Sequence, residues 1–394
     1  MPTSTAPERL GPPPGIVGYR LFNLLEPPRP RRIARSPRAT LLVVATVCVG
    51  AFMGQLDTSI VSLALPRMSE QLHVSVDAAQ WVSQAYVLTL VALVVPIGAW
   101  ADWVGRKSLY IAGFLIFTAA STACAFAPDL LLLCAFRVVE AVGAALMQAN
   151  SVALIASAAP PGRLGRMVGW QAAAQALGLA VGPVVGGALL AAGSWRLVFL
   201  VNVPAGIVGV VAAAALLPRS RELAATRPAG LGSVVRLVSG VLRAPGLARL
   251  LLASLAGYAL LFGTLVAIPL YLHDRGASSA VIGLVVATLP VVIGLVAPAA
   301  GHLSDHAPRS VARAGLGLGM VALATIAVVR PAGAGLVLLL AVVGLGLGSF
   351  TPANNRAVMV GAPSAASSTA AGLLNMTRAF GTAAGTALAV LFVS

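Results

Sequence analysis

Long apolar runs broken by short polar, glycine- or proline-bearing segments dominate the chain. Eleven of them run over Thr40–Pro66, Trp81–Ala101, Leu109–Phe126, Leu130–Ala158, Met167–Ala192, Leu197–Leu217, Leu247–Leu272, Ala280–Ala300, Val311–Val329, Ala332–Val360 and Ala365–Val393. At roughly 18 to 28 residues each, a helix made of any one would cross a hydrocarbon layer of about 30 Å. The runs show no strand-like alternation and are too long for barrel strands. Backbone in lipid must also satisfy its own hydrogen bonds, so the pattern predicts a polytopic bundle of about eleven transmembrane helices.

Composition sharpens this picture. Of 394 residues, 59% are hydrophobic and 9% charged, too much apolar surface for one water-soluble core, so lipid is the expected environment. The formal charge of +15 would suit nucleic acid if the basic residues were clustered without regard to the spans. They are not. Arg9, Arg20, Arg29, Arg31, Arg32, Arg35 and Arg38 precede the first span. Arg219, Arg221, Arg227, Arg236, Arg243 and Arg249 lie between the sixth and seventh, and Arg106 with Lys107, Arg163 with Arg166, and Arg309 with Arg313 occupy alternate loops. All fall on one side. The intervening loops hold Arg67, Arg196, Arg275 and Arg330, offset by Glu70, Asp77, Asp129 and Asp274. Positive-inside topology accounts for the charge, puts the N-terminus in the cytoplasm and excludes nucleic acid as the partner.

The tail over residues 1–39 has nine prolines among its first 37 residues and is expected to be a disordered basic cytoplasmic segment, with no cleavable signal peptide. Cys48, Cys124 and Cys134 sit inside spans at spacings that suit neither a disulfide framework nor a metal, so they read as packing residues.

A shift of 203 residues superimposes the two halves of the chain. Pro66 falls on Pro269; Gly98, Asp102 and Arg106 fall on Gly301, Asp305 and Arg309; Gly178 and Gly182 fall on Gly381 and Gly385. An acid, a base and a proline at one offset indicate duplication, the plan by which many secondary transporters build a cavity between repeats. The expected organisation is a six-helix half over 40–217, a cytoplasmic linker over 218–246 in which Val234–Leu242 forms an interfacial helix, and a five-helix half over 247–394. The sixth span has no counterpart in the second half, so a shortened product with an extracytoplasmic C-terminus is expected.

Five motifs carry candidate chemistry. Gly98-Ala99-Trp100-Ala101-Asp102-Trp103-Val104-Gly105-Arg106-Lys107 joins the second and third spans. Gly98 permits close helix contact, Asp102 can cap a helix or hold a cation, and Arg106 with Lys107 suits lipid headgroups; a plain solvated loop is the alternative. Its second copy ends in Asp305 and Arg309. In the fifth span, Gly178, Gly182, Pro183, Gly186 and Gly187 mark a helix built to bend or to pack tightly.

Asp57, within Leu56-Asp57-Thr58-Ser59-Ile60, is an ionisable group at membrane depth and so a functional candidate; a structural hydrogen bond is the alternative. Arg137 and Glu140 are three residues apart and share a helix face. At about 1.5 Å per residue, Asp57 and Arg137 both lie roughly 10–14 Å below the same membrane face, so the three can meet as a cluster of net charge −1. The fifth motif, Ser194-Trp195-Arg196 through Asn202-Val203-Pro204, reads as architectural, with Asn202 able to bridge helices. Polar or amphipathic residues inside spans, candidates for a mixed substrate cavity, are Gln84, Tyr86, Gln148, Asn150, Gln171, Gln175, Tyr258, Asn354 and Arg378.

Together these motifs resemble those of the drug:proton antiporter branch of the major facilitator superfamily. The loop at Gly98 is similar to GxLxDxxGRK, the segment at Asp57 to LDxTIVNVALP, Arg137–Ala145 to RxxQGxGAA, Ser194–Gly206 to SWRWIFLINVPIG, and Arg378–Gly385 to RxxGxxxG. The chain departs from the third pattern with Glu140 for glutamine and Ala141 for glycine. The resemblance implies an all-α fold of two pseudo-symmetric halves, export of small amphiphilic compounds by alternating access, and a conformational latch at the Gly98 loop. It also implies a proton as coupling ion, handled by Asp57 or Glu140 and tuned by Arg137, and a monomer in the cell membrane. An importer of the same superfamily and a non-transporting relative are the rivals. No cofactor or metal is expected, and the chain contains no GxxxxGK[ST], HExxH or GxSxG that would equip it for hydrolysis.

Overall fold

The computed structural model describes residues 29–34, 36, 38–219, 231–273, 275–277, 279–363 and 366–393, and among these it is helical throughout, with no strand. Most of the tail and linker segment 220–230 lie outside the described residues. Among the described residues eleven long helices follow one another: α1 (Ala39–Leu72), α2 (Trp81–Val104), α3 (Arg106–Ala125), α4 (Leu130–Ala158), α5 (Leu164–Ala191), α6 (Leu197–Leu216), α7 (Leu247–His273), α8 (Ser279–Ser304), α9 (Pro308–Val329), α10 (Gly333–Gly361) and α11 (Ser367–Val393). The first ten are long and apolar enough to cross a membrane, and α11, 27 residues long, packs along α7.

Helix ends follow local chemistry. Asp129 caps α4 by accepting the Leu132 N–H at 2.8 Å, filling one of the donors a helix start leaves open. Gly105 turns the chain from α2 into α3 at φ 108°, a conformation a side chain would oppose. Two boundaries differ from the sequence pattern. Helix α1 runs through Pro66 to Leu72, because a proline near one end costs only a hydrogen bond that water at the membrane edge can replace. Helix α6 is interrupted at Val201, between Leu197–Leu200 and Asn202–Leu216. The amphipathic linker helix spans Leu231–Arg243, buries Val241 and exposes Arg236 and Arg243.

The chain turns large apolar side chains outward, among them Leu131, Val184, Leu284, Leu295 and Val328. Such a surface is stable against acyl chains, not water. Interior packing falls into separate clusters. One centres on Tyr110, Phe114 and Phe117 in the first half, another on Leu289, Ile293, Leu340 and Val343 in the second.

The duplication is visible in atomic packing. A Cβ on Gly178 of α5 would press on the Phe52 carbonyl and Gln55 of α1; a Cβ on Gly381 of α11 would press on the Leu255 carbonyl and Tyr258 of α7. Each of these residues stands 203 positions from its counterpart. Between the halves, α5 packs on α8 and α2 on α11, and here too the register repeats. Gly169 abuts the Ala297 carbonyl, and Gly372 abuts the Val94 carbonyl.

Candidate functional site

Three charged residues meet inside the first half, at the packing of α1, α2, α4 and α6. Arg137 Nη1 donates to Asp57 Oδ2 and to Glu140 Oε2, each at 2.8 Å. The three side chains are 0 to 1% exposed. Arg137 Nε donates to the Val82 carbonyl at 3.2 Å, and the guanidinium lies 4.2 Å from the Tyr86 ring centroid and 5.7 Å from that of Phe199. Aromatic faces carry negative potential, so they help hold a cation that has left water.

The two acids differ in their surroundings. Asp57 accepts on both oxygens, since Asn202 Nδ2 donates to Oδ1 at 3.0 Å. The same amide donates to Ser121 Oγ at 3.1 Å. Glu140 Oε2 takes Arg137 and lies 3.6 Å from Cys124 Sγ, whereas Oε1 is buried without a hydrogen-bond partner among the described residues. One arginine thus serves two carboxylates, and one buried oxygen has no donor.

A second site lies between the halves. A small, partly open cavity is lined by Gln55 of α1, Ala172, Gln175, Ala176 and Leu179 of α5, Tyr258, Leu261 and Phe262 of α7, Pro290 and Ile293 of α8, and Thr351 of α10. Apolar walls with a few polar groups are the usual form of a small-molecule site. Behind Tyr258, Arg378 Nη2 donates to Asn355 Oδ1 at 2.7 Å and Nη1 to Asn375 Oδ1 at 3.1 Å. Asn375 Nδ2 crosses the interface to the Gln148 carbonyl at 2.8 Å.

Of the polar residues that the sequence offers for this cavity, Gln175 and Tyr258 line it. The others have different occupations. Tyr86 is buried beneath Arg137, Gln171 donates to Ser151 Oγ, Asn150 to the Leu146 carbonyl of its own helix and Asn354 to the Leu250 carbonyl, while Gln84 is exposed on α2. The physical reason is common: a polar side chain in a span satisfies itself at the nearest helix unless the packing turns it inward. Gln55 and Thr351, which line the cavity, carry no sequence signal beyond being polar within a span.

At the end of the bundle bearing the Gly105 and Asp305 loops, both interfaces are tied. Asp305 Oδ1 accepts the Gly165 N–H at 2.6 Å and Oδ2 the Arg166 N–H at 3.2 Å, which caps the start of α5. Arg356 Nε lies 3.0 Å from Asp305 Oδ1, while Arg309 is exposed. At the symmetry-related place, Arg106 Nη2 donates to Ser367 Oγ at the start of α11. Lys107 is buried and donates to the Leu217 carbonyl at 2.9 Å. Gly98 is buried on α2, and the side chain of Asp102 lies outside the described ones. In α5, Gly182 packs on Ser59 and Gly186 on Ile60 and Leu63 of α1, whereas a Cβ on Gly187 would meet open space. Pro183 stays inside the helix.

Among the described residues no cluster of His, Cys, Asp or Glu could hold a metal ion. Arg356, Ser367, Ser121 and Asn355 escaped the sequence reading, because each acts as partner to a residue distant in the chain.

Comparison with known proteins agrees with this architecture. The human organic anion transporter MFSD10 superposes with a TM-score of 0.77 at 17% identity, over 91% of this chain and 95% of that one. The proton:xylose symporter XylE superposes with a TM-score of 0.65 at 14% identity, over 90% and 88%. The likeness to both is one of fold. In sequence, the chain is 34% identical over 178 residues to the riboflavin transporter RibZ of Clostridioides difficile, covering 45% of this chain and 39% of that protein. It is 38% identical over 186 residues to a multidrug resistance protein B homolog of Mycobacterium tuberculosis (47% and 34%). Against the tetracenomycin C resistance and export protein of Streptomyces glaucescens it is 31% identical over 216 residues (53% and 40%). The chain thus spans no more than 40% of the length of these curated relatives. The model of the Major Facilitator Superfamily matches residues 47–386. This multi-pass membrane protein, with a cavity between two repeated halves, belongs to the Major Facilitator Superfamily, a family of small-molecule transporters and not of enzymes.

Proposed function

We propose that the chain is a proton-coupled exporter of small amphiphilic compounds. The observation that carries this reading is the Asp57–Arg137–Glu140 cluster, in which one guanidinium faces two carboxylates at 2.8 Å. With both acids ionised the cluster holds net charge −1, and one proton brings it to zero. Glu140 is the acceptor, because its Oε1 has no donor among the described residues while both oxygens of Asp57 are engaged. Arg137 tunes the step by holding whichever carboxylate is charged.

Alternating access would come from rocking of the halves. Positive-inside topology puts the loops of Gly105 and Asp305, and the N-terminus, in the cytoplasm of a cell whose plasma membrane holds the protein as a monomer. The Asp305 and Arg106 ties then close the cytoplasmic end, and a carboxylate that caps α5 from the other half is a latch that separation of the halves must break. The relatives named for multidrug resistance and tetracenomycin export support the export reading. The riboflavin transporter among them supports a second, carriage of a polar metabolite.

The test is proteoliposome flux. A proton gradient should drive movement of ethidium, a protonophore should abolish it, and Glu140→Gln combined with Asp57→Asn should abolish it too. Gradient-driven riboflavin movement without ethidium movement favours the second reading. Ligand binding with no gradient-dependent flux of either compound makes the chain a non-transporting relative.

A further inference from the structure

The second half contains a buried cation to match the acids of the first, and the described carboxylates leave it unneutralised. Arg378 lies 11 residues into α11 from Ser367, about 16 Å along the helix and so near the middle of a hydrocarbon layer of about 30 Å. From residue 247 onward the sequence has two acidic side chains, Asp274 and Asp305; Asp274 lies outside the described residues, and Asp305 follows the end of α8. Asp305 is occupied with Arg356 and with the start of α5. The guanidinium of Arg378 instead meets the amide oxygens of Asn355 and Asn375, and its Nε has no hydrogen-bond partner among the described residues. The residue is 5% exposed. A full charge held at membrane depth by neutral groups alone is costly, and such a residue marks a site for a counter-charge.

Its position relative to the cavity follows from the repeat. Gln175 stands 203 residues before Arg378, and Gln55 stands 203 before Tyr258. Both glutamines and Tyr258 line the cavity. The packing of α5 on α1 recurs in that of α11 on α7, at Gly178 with Gln55 and at Gly381 with Tyr258, so Arg378 occupies in its half the place Gln175 takes in the other. The guanidinium lies 5.1 Å from the Tyr258 ring centroid. Tyr258 in turn stacks on Phe262, with centroids 6.3 Å apart and planes at 23°.

Resting on the transport reading above, we propose that Arg378 forms an anion-binding subsite that adjoins the central cavity behind Tyr258. It takes a carboxylate or other anionic group of the substrate, while a flat apolar body lies against Tyr258 and Phe262. The free Nε–H, beside the guanidinium's other donors, suits the two oxygens of a carboxylate. Asn355 and Asn375 keep the fork oriented without cancelling its charge. Gln55 and Gln175, which line the cavity, offer neutral amides that accept and donate without preference for charge.

Two dyes sharing a xanthene ring but of opposite charge provide the test: fluorescein, an anion, and rhodamine 6G, a cation. Binding of each to the full chain in detergent micelles is followed by fluorescence anisotropy, which needs no gradient and so stands whether or not flux is found. Arg378→Gln should weaken fluorescein binding by about tenfold or more, the loss expected for a hydrogen bond to a charged group, and leave rhodamine 6G unchanged or tighter. Arg378→Lys should keep part of the fluorescein affinity. Equal weakening of both dyes, or no change in fluorescein, would overturn the proposal. Gln175→Glu gives an independent reading if Arg378→Gln does not fold: an acid on the cavity lining should weaken fluorescein and strengthen rhodamine 6G. The opposite order, or no effect on either, overturns the proposal equally.

Discussion

Gly169 and Gly372 play the same part on opposite sides of the molecule. Each lays bare backbone against a carbonyl of the other half, Ala297 for the first and Val94 for the second, at places related by the repeat. A methyl group at either would collide with that carbonyl, so the two contacts limit how closely the halves approach.

Gly169→Val and Gly372→Val should therefore each destabilise the closed arrangement, by about 1–3 kcal/mol if the helices shift to accommodate the side chain. Thermal unfolding in detergent checks this, with Gly187→Ala as the control, since nothing lies within 4 Å of a Cβ there. The control should change stability by less than about 0.5 kcal/mol.

Removing Arg137 leaves two carboxylates buried side by side. Arg137→Ala should cost about 3–5 kcal/mol, and the triple variant that adds Asp57→Asn and Glu140→Gln should recover most of that loss. Melting temperatures of the single and triple variants decide it; a triple variant no more stable than the single would show that the arginine acts through packing alone.

Asp305→Ala takes away both the cap of α5 and the partner of Arg356. The cap alone contributes about 0.5–2 kcal/mol. The expected outcome is a looser end of the bundle, read as faster alkylation of Ala172→Cys by a membrane-impermeant thiol reagent applied from that side, with Cys48, Cys124 and Cys134 replaced by alanine. Unaltered labelling would mean that the helix contacts hold the closure without the acid.

Orientation has a direct check. Gly162→Cys, in the loop between α4 and α5, should label only from the cytoplasmic side of intact cells or vesicles, and Gly193→Cys, between α5 and α6, only from outside. The reverse pattern would invert the proposed topology.

The spans were legible because lipid imposes a length and forbids exposed backbone, and both demands are written in runs of apolar residues. The meeting of Asp57 and Arg137 was legible from depth along two helices. Which face of a span points inward was not. A helix between lipid and an apolar interior is hydrophobic all round, so periodicity cannot separate Gln84, which is exposed, from Gln175, which lines the cavity. Asn202 was readable as a bridge between helices, yet its role as donor to Asp57 depends on the rotation of α6, which tertiary packing sets. Arg356 is likewise invisible as the partner of Asp305 until α10 and the end of α8 are seen side by side.

The acid cluster lies within the first half, and none of its three side chains lines the cavity between the halves. In the proposed cycle, proton and cargo would therefore not take turns on one shared carboxylate. Exchange would be linked by mechanical strain, in which neutralising Glu140 leaves Arg137 to Asp57 alone, tightens its grip on α1 and so alters how α1 and α5 sit beside the cargo. Such a machine tolerates chemical variety in what it carries, since the cargo need not compete for the proton site, and its flux should show non-competitive rather than competitive dependence on external acidity.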